Sequence, residues 1–233
     1  MSVAVVMPTV PRRTTSAAEV VKRLLPQVDA LIVHLNGHAD VPAWARTPKV
    51  RVIRHPAGTG PIVRLSIVPT TDHVLFVDDD LAYPTDYAAR SVAALTRLRA
   101  GTAVCYHAAY WPKGSPPHYA GRRIVMYSAG IPSDTIVTLM GSGTACFHRS
   151  DLLRIDRVAP PIFAREDDVW TSAACARKAI RLVRAPTIEN WIRPLPAAYD
   201  DGALFRDATH DAFVRRDKAI KVAHAMGRWQ LDL

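Results

Sequence analysis

One stretch constrains this chain more than any other: Val74-Leu75-Phe76-Val77 runs directly into Asp78-Asp79-Asp80. A short apolar run that stops at charged residues reads as a strand buried on both faces. Such strands belong to sheets covered by helices on both sides. Three adjacent carboxylates at its end repel one another, and burial adds to the cost of ionising them. A divalent cation removes that cost, and hard oxygen donors suit magnesium or manganese. Along a strand Asp78 and Asp80 share a side, whereas Asp79 points away. A second reading is an acidic turn at the start of the helix that Pro84 opens, where carboxylates are also favoured.

The surrounding pattern alternates strands with helices. Residues 3–7, 30–35, 50–53 and 73–77 are short apolar runs, and residues 17–25 carry apolar side chains at helical spacing. A break at Gly58-Thr59-Gly60-Pro61 predicts a helix over 62–68, and Pro84 predicts a longer one to about residue 99. This order argues for a mostly parallel sheet with crossover helices. Ligands of such sheets bind beyond the carboxyl ends of the strands, which is where Asp78 to Asp80 fall. In the second half, residues 103–108, 136–139, 143–147 and 182–185 read as extended. A short helix opens near Asp151, and residues 168–180 and 213–226 read as helical. Residues 110–123 read as a long loop or hairpin. The expectation is one α/β domain over residues 1–233, with a first half at 1–100 and a second half ending in a C-terminal helix at 101–233.

Composition narrows the classes. A chain of 233 residues, 49% hydrophobic, can bury a substantial core. It has no run of about 18 apolar residues, so no membrane span is expected. Residues 1–8 read as a first strand, not a leader. The three cysteines, Cys105, Cys146 and Cys175, fit neither a zinc site nor a disulfide framework, and a cytoplasmic setting is the simplest expectation. A net charge of +9 favours anionic partners, such as nucleotides or nucleic acid.

Other groups join the aspartates as candidates. Glu166-Asp167-Asp168 is a second acidic cluster, and Asp167 and Asp168 are its candidate catalytic carboxylates, to orient an acceptor, take its proton or stabilise positive charge at a sugar carbon. Capping of the following helix is the alternative. Gly141-Ser142-Gly143 lets a backbone approach a sugar or phosphate closely, or is simply a bend. Arg12, Arg13, Arg64, Arg215 and Arg216 are candidate cations for a leaving diphosphate. His210 is a candidate additional metal ligand. Tyr110, Trp111, Lys113 and Arg122 mix aromatic faces with cations and are candidate acceptor contacts.

Taken in order, these segments resemble a known superfamily. Val5-Val6-Met7-Pro8-Thr9, the Asp78-Asp79-Asp80 strand end, residues 141–149 and Glu166-Asp167-Asp168-Val169-Trp170 follow the order seen in GT-A glycosyltransferases. Residues 137–149, and Gly202-Ala203-Leu204 followed by His210 and Arg215-Arg216, are similar to the exostosin C-terminal domain (family 64). The broad family 2 is the wider likeness. The resemblance implies a UDP-sugar donor with Mn2+ or Mg2+, Asp80 as metal ligand, and Asp78 on the ribose or the metal. It also implies a donor site that includes Pro8, Thr9 and Asp79. Family 64 implies retention at the sugar carbon and family 2 implies inversion.

The acceptor divides the expectations. A glycan or lipid-linked glycan is the commonest use of such a fold. The charge suits DNA bearing hydroxymethylated bases, as in phage enzymes, which work in the host cytoplasm and must extrude the base. A nucleotidyltransferase or a non-catalytic nucleic-acid-binding protein are readings from other classes. The oligomeric state is not written in these motifs.

Overall fold

The computed structural model describes residues 1–113, 118–200, 210–227 and 229. It is a mixed α/β structure with a large, mostly parallel central sheet flanked by helices. Strands β1 (Val3–Thr9), β2 (Ala30–Asn36), β3 (Val50–His55) and β4 (His73–Val77) come first. Next are a short β5 (Leu81–Ala82), β6 (Thr102–Cys105), β7 (Ala108–Tyr110) and β8 (Arg123–Val125). The remainder are β9 (Thr135–Val137), β10 (Leu139–Met140), β11 (Thr144–His148), β12 (Arg181–Arg184) and β13 (Arg193–Pro194). Eight of them form one sheet in the order β3-β2-β1-β4-β11-β6-β12-β9.

Helices α1 (Thr14–Leu24) and α2 (Tyr87–Leu98) cover one face. Helices α3 (Arg149–Arg154), α4 (Asp167–Arg177) and α5 (His210–Ala225) contribute to the other side. Strand alternation explains the division. Val5, Met7, Leu75 and Val77 join Val20, Leu24 and Leu95 in one apolar cluster, whereas Val6, Val74 and Phe76 join Leu152, Trp170 and Ile220 in another. Strands buried on both faces carry continuous apolar runs, as β1 and β4 do. Among the described residues no helix is long and apolar enough to cross a membrane.

Two expectations change. Residues 62–68 do not form an α-helix; Pro61–Ser66 is a 3-10 segment that buries Arg64 instead of exposing a polar face. The sheet also reverses locally, because β11 enters antiparallel between β4 and β6. That reversal brings the turn preceding β11 to the edge where β4 and β6 end.

Candidate functional site

At the carboxyl end of β4, two buried arginines reach the aspartate run. Arg13, in the 3-10 turn Pro11–Arg13 after β1, pairs through Nη1 with Asp79 Oδ1 at 3.2 Å and also with Asp80. Arg64 pairs through Nη2 with Asp78 Oδ1 at 2.9 Å and through Nε with Asp167 Oδ2 at 2.9 Å. One guanidinium therefore joins the first acidic cluster to the second. Asp167 opens α4, and the fold brings it to β4 across the apolar cluster that contains Phe76, Val169 and Trp170.

The carboxylates remain electrostatically crowded. Burial, followed by repulsion from Asp80, pushes Asp79 up to about 7 against the opposing pull of Arg13. Burial, then Asp78, raises Asp80, and burial raises Asp167 despite Arg64. With Asp78, Asp79, Asp80 and Asp167 all ionised, the guanidiniums of Arg13 and Arg64 leave two negative charges over. The Asp78 side chain is 42% exposed and opens to solvent.

The glycine turn shapes this edge. Strands β4 and β6 run the same way, and the chain re-enters between them as β11. A Cβ on Gly143 would lie 1.8 Å from Asp78 Oδ2, and a Cβ on Gly141 would lie 2.5 Å from His107 Cδ2. The missing side chains thus make room for a carboxylate and an imidazole, where the sequence suggested room for a sugar or phosphate. Tyr83 closes the base of the turn: its hydroxyl donates to Gly143 O at 2.6 Å and accepts the Asp78 N–H at 2.8 Å. Ser142 is buried within the turn. His107 carries no sequence signal beyond being a lone polar residue in an apolar run. Burial pushes its pKa down to about 4, against the pull of Asp78.

The second acidic cluster meets α5. Arg215 Nε donates to Glu166 Oε1 at 3.0 Å, and Arg216 Nε lies 3.9 Å from Glu166 Oε2. These arginines, expected on a diphosphate, are partnered with Glu166. Asp168 accepts the Val169 N–H at 2.8 Å, and burial together with Asp167 and Glu166 pushes its pKa up to about 7. Arg122 lies close enough to Asp168 to oppose that rise. Its guanidinium stacks on Tyr119 at 3.3 Å from the ring centroid, with Arg216 at 5.1 Å from the same ring.

The remaining candidates are scattered. Trp111 is a correction: it is fully buried, donates to His118 O at 2.8 Å and packs edge-on against Trp229, so it is core and no surface platform. Tyr110 is half-buried on β7, and Lys113 is exposed beyond it. Arg12 is exposed on the turn whose next residue, Arg13, turns in to the aspartates. Pro8 and Thr9 are buried at the end of β1, Thr9 beside Asp79. His210 begins α5, but its side chain lies outside the described residues, as do Gly202, Ala203 and Leu204.

Among the described residues no three His, Cys, Asp or Glu side chains are gathered as a ready metal cage. The oxygens of the aspartate run are turned toward Arg13 and Arg64. No protein-family model matches the chain, and no curated protein matches it. Among solved structures it is similar to A197 from STIV, at 13% identity and a TM-score of 0.41, over 83% of this chain and 84% of that one.

Proposed function

We propose that this chain is a metal-dependent glycosyltransferase of the GT-A type. In this reading it moves a sugar from a UDP-sugar to an acceptor hydroxyl on a glycan or lipid-linked glycan. One domain serves both substrates, with residues 1–100 toward the donor and 101–233 toward the acceptor. The observation that carries the reading is the Arg64 bridge between Asp78 and Asp167, which unites two acidic motifs at one strand end. A fold stabilised only by apolar packing has no need of four crowded carboxylates there.

The donor set fits a hard divalent cation. It offers oxygen ligands, and two surplus negative charges when all four carboxylates are ionised. Magnesium and manganese sites of this kind take one or two carboxylates and complete their shell with diphosphate oxygens and water, so an all-protein cage is not required. Asp80 and Asp78 would hold the ion, which when bound supplies positive charge where the leaving diphosphate gains negative charge. Arg13 holds Asp80 and Asp79 in place, and Arg64 holds Asp78 and Asp167.

Of the two candidate catalytic carboxylates, Asp168 suits proton transfer better. Asp167 is engaged by Arg64. Asp168 is half-buried, and a pKa of about 7 is well placed for taking a proton from an acceptor hydroxyl. The Arg122–Tyr119 stack beside it offers an aromatic and cationic edge for the acceptor. The net charge of +9 supports hydroxymethylated DNA as a second acceptor class. Duplex binding with a steep salt dependence would favour it, and salt-insensitive weak binding would remove it.

Calorimetric titration of UDP and UDP-sugars with and without MnCl2 tests the reading. Manganese-dependent nucleotide affinity with slow sugar-nucleotide hydrolysis is the expected result. Absence of both would leave the nucleic-acid-binding reading in possession.

A further inference from the structure

The side chain at this sheet edge that no sequence motif marked is His107. We propose that His107 is a specificity-determining contact to the transferred sugar, its imidazole hydrogen-bonding a sugar hydroxyl beside Asp78. This rests on the transferase reading above and adds to it a residue that chooses among donor sugars.

Three observations converge. First, position: His107 follows β6 at the same edge at which Asp78 follows β4, because β4 and β6 are parallel and β11 lies between them. Second, seating: Gly141 and Gly143, two residues apart on the connecting turn, each give up a Cβ position, one to His107 Cδ2 and the other to the Asp78 carboxylate. One turn thus seats both the imidazole and the carboxylate. Third, availability: the His107 ring makes no hydrogen bond with the described residues; Nδ1 is buried without a partner, so Nε2 is the nitrogen left to meet a ligand. Its backbone is held firmly, with N–H to Thr144 Oγ1 at 2.8 Å and the carbonyl accepting Gly141 N–H at 2.7 Å. Tyr127 packs against the ring at 5.8 Å between centroids.

The chemistry selects the ligand class. The exposed nitrogen of a neutral imidazole is a donor or an acceptor according to tautomer, and a hydroxyl can answer either. It carries no charge to attract a diphosphate, which Arg13, Arg64 and a cation suit far better. An accessible ring nitrogen that the fold leaves without a partner is open to pairing with a ligand. Loss of the contact should therefore weaken the sugar part of the donor and leave the nucleotide part alone.

The test compares wild type with His107→Ala, His107→Gln and Gly141→Ala. Each is titrated with UDP, UDP-glucose, UDP-galactose and UDP-N-acetylglucosamine in the presence of MnCl2. In His107→Ala, UDP affinity should stay within about twofold while the preferred UDP-sugar weakens about tenfold, the size of one hydrogen bond, and the affinity differences between sugars shrink. His107→Gln, which keeps a donor and an acceptor, should recover most of the loss. Gly141→Ala keeps the imidazole but displaces it, and should reproduce the selective loss if His107→Ala does not fold. Unchanged UDP-sugar affinity and preference in these variants would overturn the proposal, as would an equal loss for UDP alone. If wild type binds neither UDP nor any UDP-sugar, the transferase reading itself is what fails.

Discussion

Arg64 and Asp167 face each other at 2.9 Å with side chains only 2% and 9% exposed, and the same guanidinium holds Asp78. Removing one partner from a buried pair leaves an uncompensated charge. Arg64→Ala should cost about 3–5 kcal/mol in urea unfolding, and Arg64→Ala with Asp167→Asn should recover part of it. An unshifted unfolding midpoint in the single variant would mean that the bridge does not hold the two motifs together.

Asp80→Ala separates the metal's part from the fold's. Arg13 keeps Asp79 as a partner, so the melting temperature should change little. Manganese-dependent UDP affinity should fall by about 100-fold or more, since even outer-shell changes at metal sites cost 10–100-fold. Retained metal-dependent binding would displace Asp80 from its assigned role.

A pH experiment addresses Asp168. Unfolded, it ionises near 4, as aspartates ordinarily do. Folded, burial and its acidic neighbours hold it up to about 7. Between those values the native state keeps a proton that the unfolded chain releases, so this group's contribution to stability falls as pH rises and is fully lost above the folded value. Asp168→Asn should therefore melt several degrees higher than wild type at pH 8, with the gain vanishing by about pH 4. The same variant should bind donor normally and turn over slowly. Equal melting curves at pH 8 would indicate that Asp168 is ordinarily solvated.

How far the sequence discloses this site depends on what kind of contact is involved. The β4 run and its aspartates were readable because burial and charge change abruptly between Val77 and Asp78. The pairing of Asp78 with Asp167 was not, because it passes through Arg64, on a segment whose spacing predicted a helix and which forms a 3-10 turn. Arg13 and its neighbour Arg12 are adjacent in the chain, and only the turn after β1 decides which one points inward. Trp111 looked like a surface aromatic because Pro112, Lys113 and Gly114 follow it. Its packing partner, Trp229, comes from the far end of the chain, where no local pattern can announce it.

Trp111 supplies a test of that correction. Its full burial places Trp111→Ala among large core truncations, with a loss of about 3–5 kcal/mol in denaturant unfolding. A surface acceptor contact would instead leave stability intact and weaken one substrate.

Gly143→Ala probes the turn from the other side. The added methyl would meet the Asp78 carboxylate at 1.8 Å from Oδ2, so either the turn or Asp78 must shift. A loss of about 1–3 kcal/mol is expected, together with weaker donor binding, and Tyr83→Phe should lower stability separately by freeing the Gly143 carbonyl. Wild-type stability and affinity in Gly143→Ala would show that the close approach is relaxed at no cost.

The antiparallel entry of β11 between β4 and β6 also governs how this polypeptide can be divided. A fragment stopping at residue 100 would present β4 as a bare, apolar border with unpaired peptide groups, an invitation to self-association. Its missing neighbour is made from residues synthesised some forty positions later. The segments before and after residue 100 must therefore mature as a single cooperative unit, and split versions should regain solubility only when both pieces are present together.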